Sequence, residues 1–254
     1  MNSTYYECVR TDIAQLLPDR VSRLLEVGCG TGNTSAWVKS KTGCWTAGVE
    51  LFPAVAHEAE QKLDSVLIGD IQAAHLPFRP GSFDVILCLD VLEHLRDPWA
   101  VVEKLTPLLS PEGCLIASVP NVRHFSVTLP LLLKGRFEYS PSGLLDKTHL
   151  RFFVRETAIN LLESSGLHVD RIVKNVSARS KVIYPIAGSL KEVLVFQYLM
   201  RAVPRAVTSE PFESVNVMRA MPSSPEGGAI SFHGRKNSNG EAMVGSVSIT
   251  EQER

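Results

Sequence analysis

Cysteine pairs at metal-binding spacing are missing from this sequence. Its five cysteines are Cys8, Cys29, Cys44, Cys88 and Cys114, and no two stand in a Cys-x-x-Cys arrangement. Cys44, Cys88 and Cys114 begin or lie inside apolar runs, where a thiol behaves as a small hydrophobe in a reducing compartment. That argues against a sulfur-ligated metal. Long apolar runs are missing too. The longest are interrupted by Pro130, by Pro185 or by Lys191-Glu192, so no segment is expected to span a bilayer. The stretch 182–200 is apolar enough to touch a membrane surface, although a buried hairpin or helix accounts for it more simply. No apolar run follows a basic start, so no signal peptide is expected, and the cytoplasm is the expected location. An excess of charge is also lacking. Lys and Arg number 26 against 27 Asp and Glu, for a net charge of −1, which gives no reason to expect a nucleic-acid partner. No internal repeat is present.

What remains is a chain of 254 residues, 44% hydrophobic, enough for one medium domain with a sizeable core. Short apolar runs alternate with helical patterns. Strands are expected at 23–27, 44–50, 65–70, 83–89 and 114–120, and helices at 33–40, 53–63, 97–109 and 154–166. Asp97 reads as an N-cap with Pro98 just inside, SPEG at 110–113 as a turn, and Gly166 as a stop. Two final antiparallel strands are expected at 167–176 and 192–202. This rhythm implies an α/β fold whose mostly parallel sheet is covered by helices on both faces. The region 121–150 breaks the rhythm and reads as an insertion, a lid or acceptor wall. The domain is expected to occupy 1–203. From 204 to 254 the composition turns to Ser, Pro, Gly, Glu and Asn, and a largely disordered tail is expected.

The strongest motif is LLEVGCGTGN at 24–33. A strand ends, Gly28, Gly30 and Gly32 alternate, and a helix begins. Glycine there lets the backbone turn tightly and approach a ligand, and the helix start offers free N–H groups. Glu50 ends the next strand, where an acid can accept two hydrogen bonds from a ribose diol. Asp70 ends the one after, followed by Ile71, where a carboxylate and a backbone N–H can meet an adenine edge. The spacing is Gly-x-Gly-x-Gly, and Glu26 precedes it. An acid there repels a pyrophosphate and attracts a cationic amino group, which weighs against a nicotinamide dinucleotide.

Glu26-Val27-Gly28-Cys29-Gly30-Thr31-Gly32, then Glu50, Asp70 and FDVILCLDVLEHL at 83–95, resemble the class I S-adenosylmethionine-dependent methyltransferases over about residues 20–175. The resemblance implies a Rossmann-like, seven-stranded sheet whose last strand is antiparallel. It implies S-adenosylmethionine as methyl donor. Glu26, Gly28, Cys29 and Gly30 would hold its methionine end, Glu50 and Leu51 its ribose side, Asp70 and Ile71 its adenine, and Leu89 would supply a backbone contact.

Asp90, Glu93 and His94 would share one face if DVLEHL were helical. An oxygen–oxygen–imidazole set can bind a divalent cation. Ubiquinone-pathway O-methyltransferases and small-RNA 3′-end methyltransferases resemble this segment, and there it can hold a metal. Glu-His also recurs in metal-free members, and no metal is expected here, although His124 or His149 could reach as a further ligand.

SVPNVRHFS at 118–126 and GRFEYSPSGLLDKTHLRFF at 135–153 resemble a bacterial subfamily associated with glycan and polysaccharide assembly. A hydroxyl acceptor must lose a proton, and a histidine suits that task at neutral pH. His149 and His124 are the candidates, with Asp146 to orient one of them or to contact a sugar hydroxyl. Arg123 and Arg151 could hold an acidic acceptor, and Phe137 and Tyr139 could stack on a ring. In the competing structural reading, Asp146 and Thr148 cap a turn and His149 bonds a carbonyl. The expected activity is O-methylation of a small-molecule or glycan-precursor hydroxyl. The alternatives are a metal-assisted O-methyltransferase of a quinone-type phenol and a donor-binding regulatory or partner protein without turnover.

Overall fold

The computed structural model describes residues 8–176, 184, 188–205, 235–236 and 242–243. Contacts divide the chain into two units, Met1–Ala206 and Val207–Arg254. In the second unit the described residues are two short strands, Arg235-Lys236 and Ala242-Met243, paired antiparallel. Otherwise the expected tail lies outside the described residues.

The first unit begins with a 3-10 turn, Thr11–Leu16. Strands β1 (Arg23–Val27), β2 (Trp45–Glu50), β3 (Ser65–Ile68), β4 (Phe83–Leu89), β5 (Leu109–Pro120), β6 (Leu167–Val176) and β7 (Val195–Pro204) follow. Helices α1 (Asn33–Thr42), α2 (Pro53–Ala59), α3 (Pro98–Leu105), α4 (Phe125–Lys134) and α5 (Arg155–Glu163) connect them. The sheet runs β3-β2-β1-β4-β5-β7-β6. Strands β1 to β5 are parallel, and β7 inserts antiparallel to both β5 and β6. This is the expected architecture.

The core explains why both faces must be covered. Leu24, Val85, Leu87 and Ile116 pack on one side with Ile13, Leu16 and Val38. Their sequence neighbours Leu25, Ile86, Leu115 and Ala117 pack on the other with Leu105, Leu161 and Leu162. Successive strand residues point to opposite faces, so runs that are apolar at every position can only lie between two helical layers. At Gly48 a Cβ would stand 2.5 Å from the Cys29 sulfur and 2.9 Å from Leu63. That glycine lets β2 pass directly beneath the loop that follows β1.

Several boundaries differ from the sequence reading. The helix read at 97–109 is α3 followed by a 3-10 turn, Thr106–Leu108, because Pro107 has no N–H to continue the ladder. The Asp97 cap is present, accepting from Ala100 N–H at 3.0 Å. SPEG does not form a separate turn. It belongs to β5, which joins β4 through an irregular register between Phe83 and Val85. The insertion at 121–150 contains a helix that the sequence reading missed. Pro130 lies inside α4, and the run FSVTLPLLLK is too uniformly apolar to show a helical period. Within 182–200, residues 182–183 and 185–187 lie outside the described residues, and Val195, Tyr198, Leu199 and Met200 are buried in the sheet.

Candidate functional site

The loop after β1 is shaped by main-chain geometry. Gly28, Gly30 and Gly32 have φ of 67°, 54° and 77°, values that penalise any residue with a Cβ. At Gly28 a Cβ would also collide with Val91, 2.4 Å away. Gly28 and Cys29 donate to the Val49 carbonyl at 2.8 and 3.2 Å, which seats the loop on the end of β2. Cys29 is buried, and burial, with Glu26 and Glu50 nearby, raises its thiol pKa. Its side chain packs against β2 at Gly48.

Three acids close this cradle. Glu50 accepts from Gly30 N–H at 2.9 Å and Phe52 N–H at 3.0 Å, while Leu51 and Phe52 stay exposed beside it. Asp70 lies exposed and accepts from Gln72 N–H at 2.9 Å, next to buried Ile71. Glu26 is buried and accepts from the backbone and hydroxyl of Ser35 in α1. Burial pushes its pKa up to about 7, against the lowering effect of those Ser35 bonds and of Arg10.

Arg10 is a site residue that the sequence reading missed. Its backbone N–H donates to Thr34 Oγ1 at 3.2 Å. Its guanidinium donates to Asp12, Asp90, Ser118 and Gln197. The N-terminal strap thus crosses from α1 to the ends of β4, β5 and β7. No local motif marks a lone arginine ahead of a 3-10 turn.

Asp90 follows β4 with φ of 56°, a left-handed conformation found at no other described non-glycine residue. Ser118 Oγ donates to its carboxylate at 3.1 Å, alongside Arg10 and Gln197. The face that Asp90, Glu93 and His94 would share on a helix does not form. DVLEHL makes only a 3-10 turn, Leu92–His94, and the Asp90 carboxylate is engaged elsewhere.

A different set converges instead. Glu93, His94 and His149 each offer an atom within 4.8 Å of the others. Glu93 is buried, and its Oε2 has no hydrogen-bond partner. Burial, reinforced by the charge of Asp90, raises its pKa well above the usual range. His94 Nδ1 lies 3.2 Å from the Thr148 carbonyl, and His149 Nδ1 lies 3.2 Å from the Leu144 carbonyl. A carbonyl only accepts, so each Nδ1 carries the hydrogen and each Nε2 keeps a lone pair. Burial and the neighbouring His94 lower the His149 pKa. The Glu93 carbonyl accepts from Leu150 and Arg151 N–H at 2.8 and 2.9 Å, tying this turn to DKTHLRFF. These donors and the orphaned carboxylate oxygen fit a divalent cation.

The Asp146 carboxylate bonds no histidine ring, although the Asp146 carbonyl accepts from His149 N–H at 3.0 Å. The carboxylate accepts from Thr148 N–H and Oγ1 at 2.8 and 2.7 Å. Burial raises its pKa, but these bonds and the nearby histidines more than offset that and lower it. Its hydrogen-bond path to His94 runs through Thr148, whose Oγ1 lies 3.1 Å from His94 Nδ1. His124 is not in the cluster. It caps α4, with Nδ1 accepting from Ser126 N–H at 3.3 Å. In the neutral ring the proton therefore sits on Nε2, which is buried without a partner, and no lone pair is left for a base. Arg151 is anchored on the Arg96 carbonyl and lies 5.6 Å over the Trp99 ring, so its structural reading holds. Phe137, Tyr139 and Phe152 touch one another, and Phe152 touches His149.

A family model described as a methyltransferase domain matches residues 1–172. The chain belongs to the S-adenosylmethionine-dependent methyltransferases. This methyltransferase is 28% identical over 179 residues to the ubiquinone biosynthesis O-methyltransferase of Xanthomonas campestris pv. campestris strain B100, covering 64% of this chain and 74% of that one. The protein of the same name from Xylella fastidiosa strain 9a5c is 30% identical over 177 residues, covering 64% and 71%. Among solved structures, a Thermotoga maritima S-adenosylmethionine-dependent methyltransferase described as a possible histamine N-methyltransferase aligns with a TM-score of 0.53 at 21% identity, covering 75% and 84%. One from Mesorhizobium loti aligns with 0.55 at 17%, covering 75% and 95%. At such identities these structures speak for the fold alone.

Proposed function

We propose that this methyltransferase transfers the methyl group to a hydroxyl oxygen of a phenol-type small molecule beside Glu93, His94 and His149, which hold a divalent cation. The carrying observation is the orphaned Glu93 oxygen. A buried acid without a partner is costly, and here it faces two histidines whose Nδ1 hydrogens are committed to main-chain carbonyls. The names of the Xanthomonas and Xylella relatives support a hydroxyl acceptor. When bound, a cation would lower the pKa of a coordinated hydroxyl.

The chain's own residues supply the rest by position. Methyl transfer from a sulfonium is an in-line displacement, so holding both reactants supplies much of the rate. Glu50, with Leu51 and Phe52 beside it, takes the ribose side of the donor, and Asp70 and Ile71 take the adenine. Leu89 offers a backbone contact at the end of β4. Glu26 faces the donor's ammonium and Arg10 its carboxylate, each with charge of the opposite sign. Phe137, Tyr139 and Phe152 offer ring faces to the acceptor.

The test is transfer of an isotopically labelled methyl group to a catechol-type phenol and to sugar hydroxyls, with and without a chelator. Labelled product on the phenol is expected, falling at least tenfold on chelation and returning with added divalent cation. Chelator-insensitive transfer would remove the cation. Product on the sugar alone would restore the glycan-precursor acceptor, whose ring face the same aromatic cluster could stack on.

A further inference from the structure

Helix α4 is apolar where a soluble helix is usually polar. Leu132 and Leu133 are 79% and 76% exposed, and Leu129 and Leu131 are 49% and 43% exposed. At about 100° per residue, these four leucines spread over about 200° of the helix circumference. A helix that docks in a protein groove needs an apolar stripe only about 100° wide. These side chains instead form a knob that is apolar on most sides, a shape that a fluid apolar phase can surround.

Charge distinguishes the segment as well. Between 121 and 151 there are five cations (Arg123, Lys134, Arg136, Lys147 and Arg151) and two acids (Glu138 and Asp146), while the whole chain has a net charge of −1. Lys134 follows the last leucine directly, and Arg136 comes two residues later. Both are exposed. Phe137 and Tyr139 follow, 37% and 59% exposed, an aromatic pair of the kind that settles at a lipid–water boundary.

We infer that α4 is a monotopic anchor for an anionic lipid bilayer. Leu129, Leu131, Leu132 and Leu133 enter the boundary between headgroups and acyl chains, and Lys134 and Arg136 meet the phosphates. The helix does not span. Its ten residues rise only about 15 Å, and no helix among the described residues is long and apolar enough to cross a membrane. The anchor is continuous with the acceptor side, because the rings of Phe137, Tyr139 and Phe152 connect it to His149. An amphiphilic acceptor dissolved in the bilayer would therefore meet the site from this side.

The experiment is co-sedimentation of the full chain with phosphatidylcholine vesicles, with and without phosphatidylglycerol. Binding is expected with the anionic vesicles and at least tenfold weaker binding with the neutral ones. Leu132→Asp/Leu133→Asp should lower anionic-vesicle binding at least tenfold while leaving S-adenosylhomocysteine affinity unchanged, which reports an intact fold. Lys134→Glu/Arg136→Glu should remove the preference for anionic lipid. If the wild-type chain stays in the supernatant with both vesicles, or the leucine variant pellets as well as wild type, the anchor is wrong. If wild type is a dimer that the leucine variant splits, and neither binds vesicles, the surface belongs to a second copy and the inference fails.

Discussion

Glu50→Ala is expected to lower the affinity for S-adenosylhomocysteine roughly a hundredfold, measured by calorimetric titration. Glu50 is buried at the end of β2 and already holds two N–H groups, those of Gly30 and Phe52. In the proposed donor complex it is the acceptor for the ribose diol. Hydrogen bonds to a charged group contribute about 1.5–3 kcal/mol each. A net loss of about 3 kcal/mol corresponds to a little over two decades of affinity. The truncation also leaves Gly30 N–H without its partner, so the loop loosens as the diol contact is lost. A thermal-melting measurement alongside separates lost binding from lost fold. Normal affinity in a well-folded Ala variant would take Glu50 out of the donor site.

His149→Ala should lower turnover roughly tenfold or more, as chelation should, because it removes one of the three groups proposed to hold the cation, and leave S-adenosylhomocysteine binding intact. Titration with a divalent cation should show the matching loss of metal affinity. Two features make His149 the sharper choice over His124. Its Nδ1 hydrogen is fixed on the Leu144 carbonyl, which frees Nε2, and it stands beside Glu93 and His94. His124→Ala should mainly cost helix-cap stability, about 0.5–2 kcal/mol. Unchanged turnover in His149→Ala would return that histidine to a purely structural role.

The sheet was legible because its central strands carry near-continuous apolar runs bounded by glycines and acids. The acid-lined cradle was legible from the same boundaries: Glu26 is the penultimate residue of β1, Glu50 ends β2 and Asp70 follows β3 by two residues. The acceptor side was not. Asp90 looked like a partner of Glu93 and His94 at helical spacing, but its left-handed backbone turns it toward Arg10, a residue 80 positions earlier. His149 joins Glu93 and His94 across more than 50 residues, through backbone bonds to the Glu93 carbonyl that no side-chain pattern encodes. Helix α4 was hidden by Pro130 and by the run of leucines around it, which leaves few polar positions to mark a period. Long-range pairings and a leucine-rich surface helix leave little periodic trace in a sequence.

The buried Glu26 would also make the proposed donor site a proton outlet. Its pKa of about 7, raised from an ordinary 4.5, means that the folded chain holds a proton there which the unfolded chain releases earlier. The associated stability is full below about pH 4.5 and fades as the pH rises through about 7. An arriving ammonium group favours the carboxylate, so donor binding at or below neutrality should expel part of a proton. Calorimetric titrations in buffers of different ionisation enthalpy should then give different heats near pH 7 and equal heats at clearly higher pH. Equal heats throughout would mean that Glu26 is already ionised in the free enzyme. With the proton outlet present, the methyl donor is held most tightly once the pH has passed the titration of one buried acid.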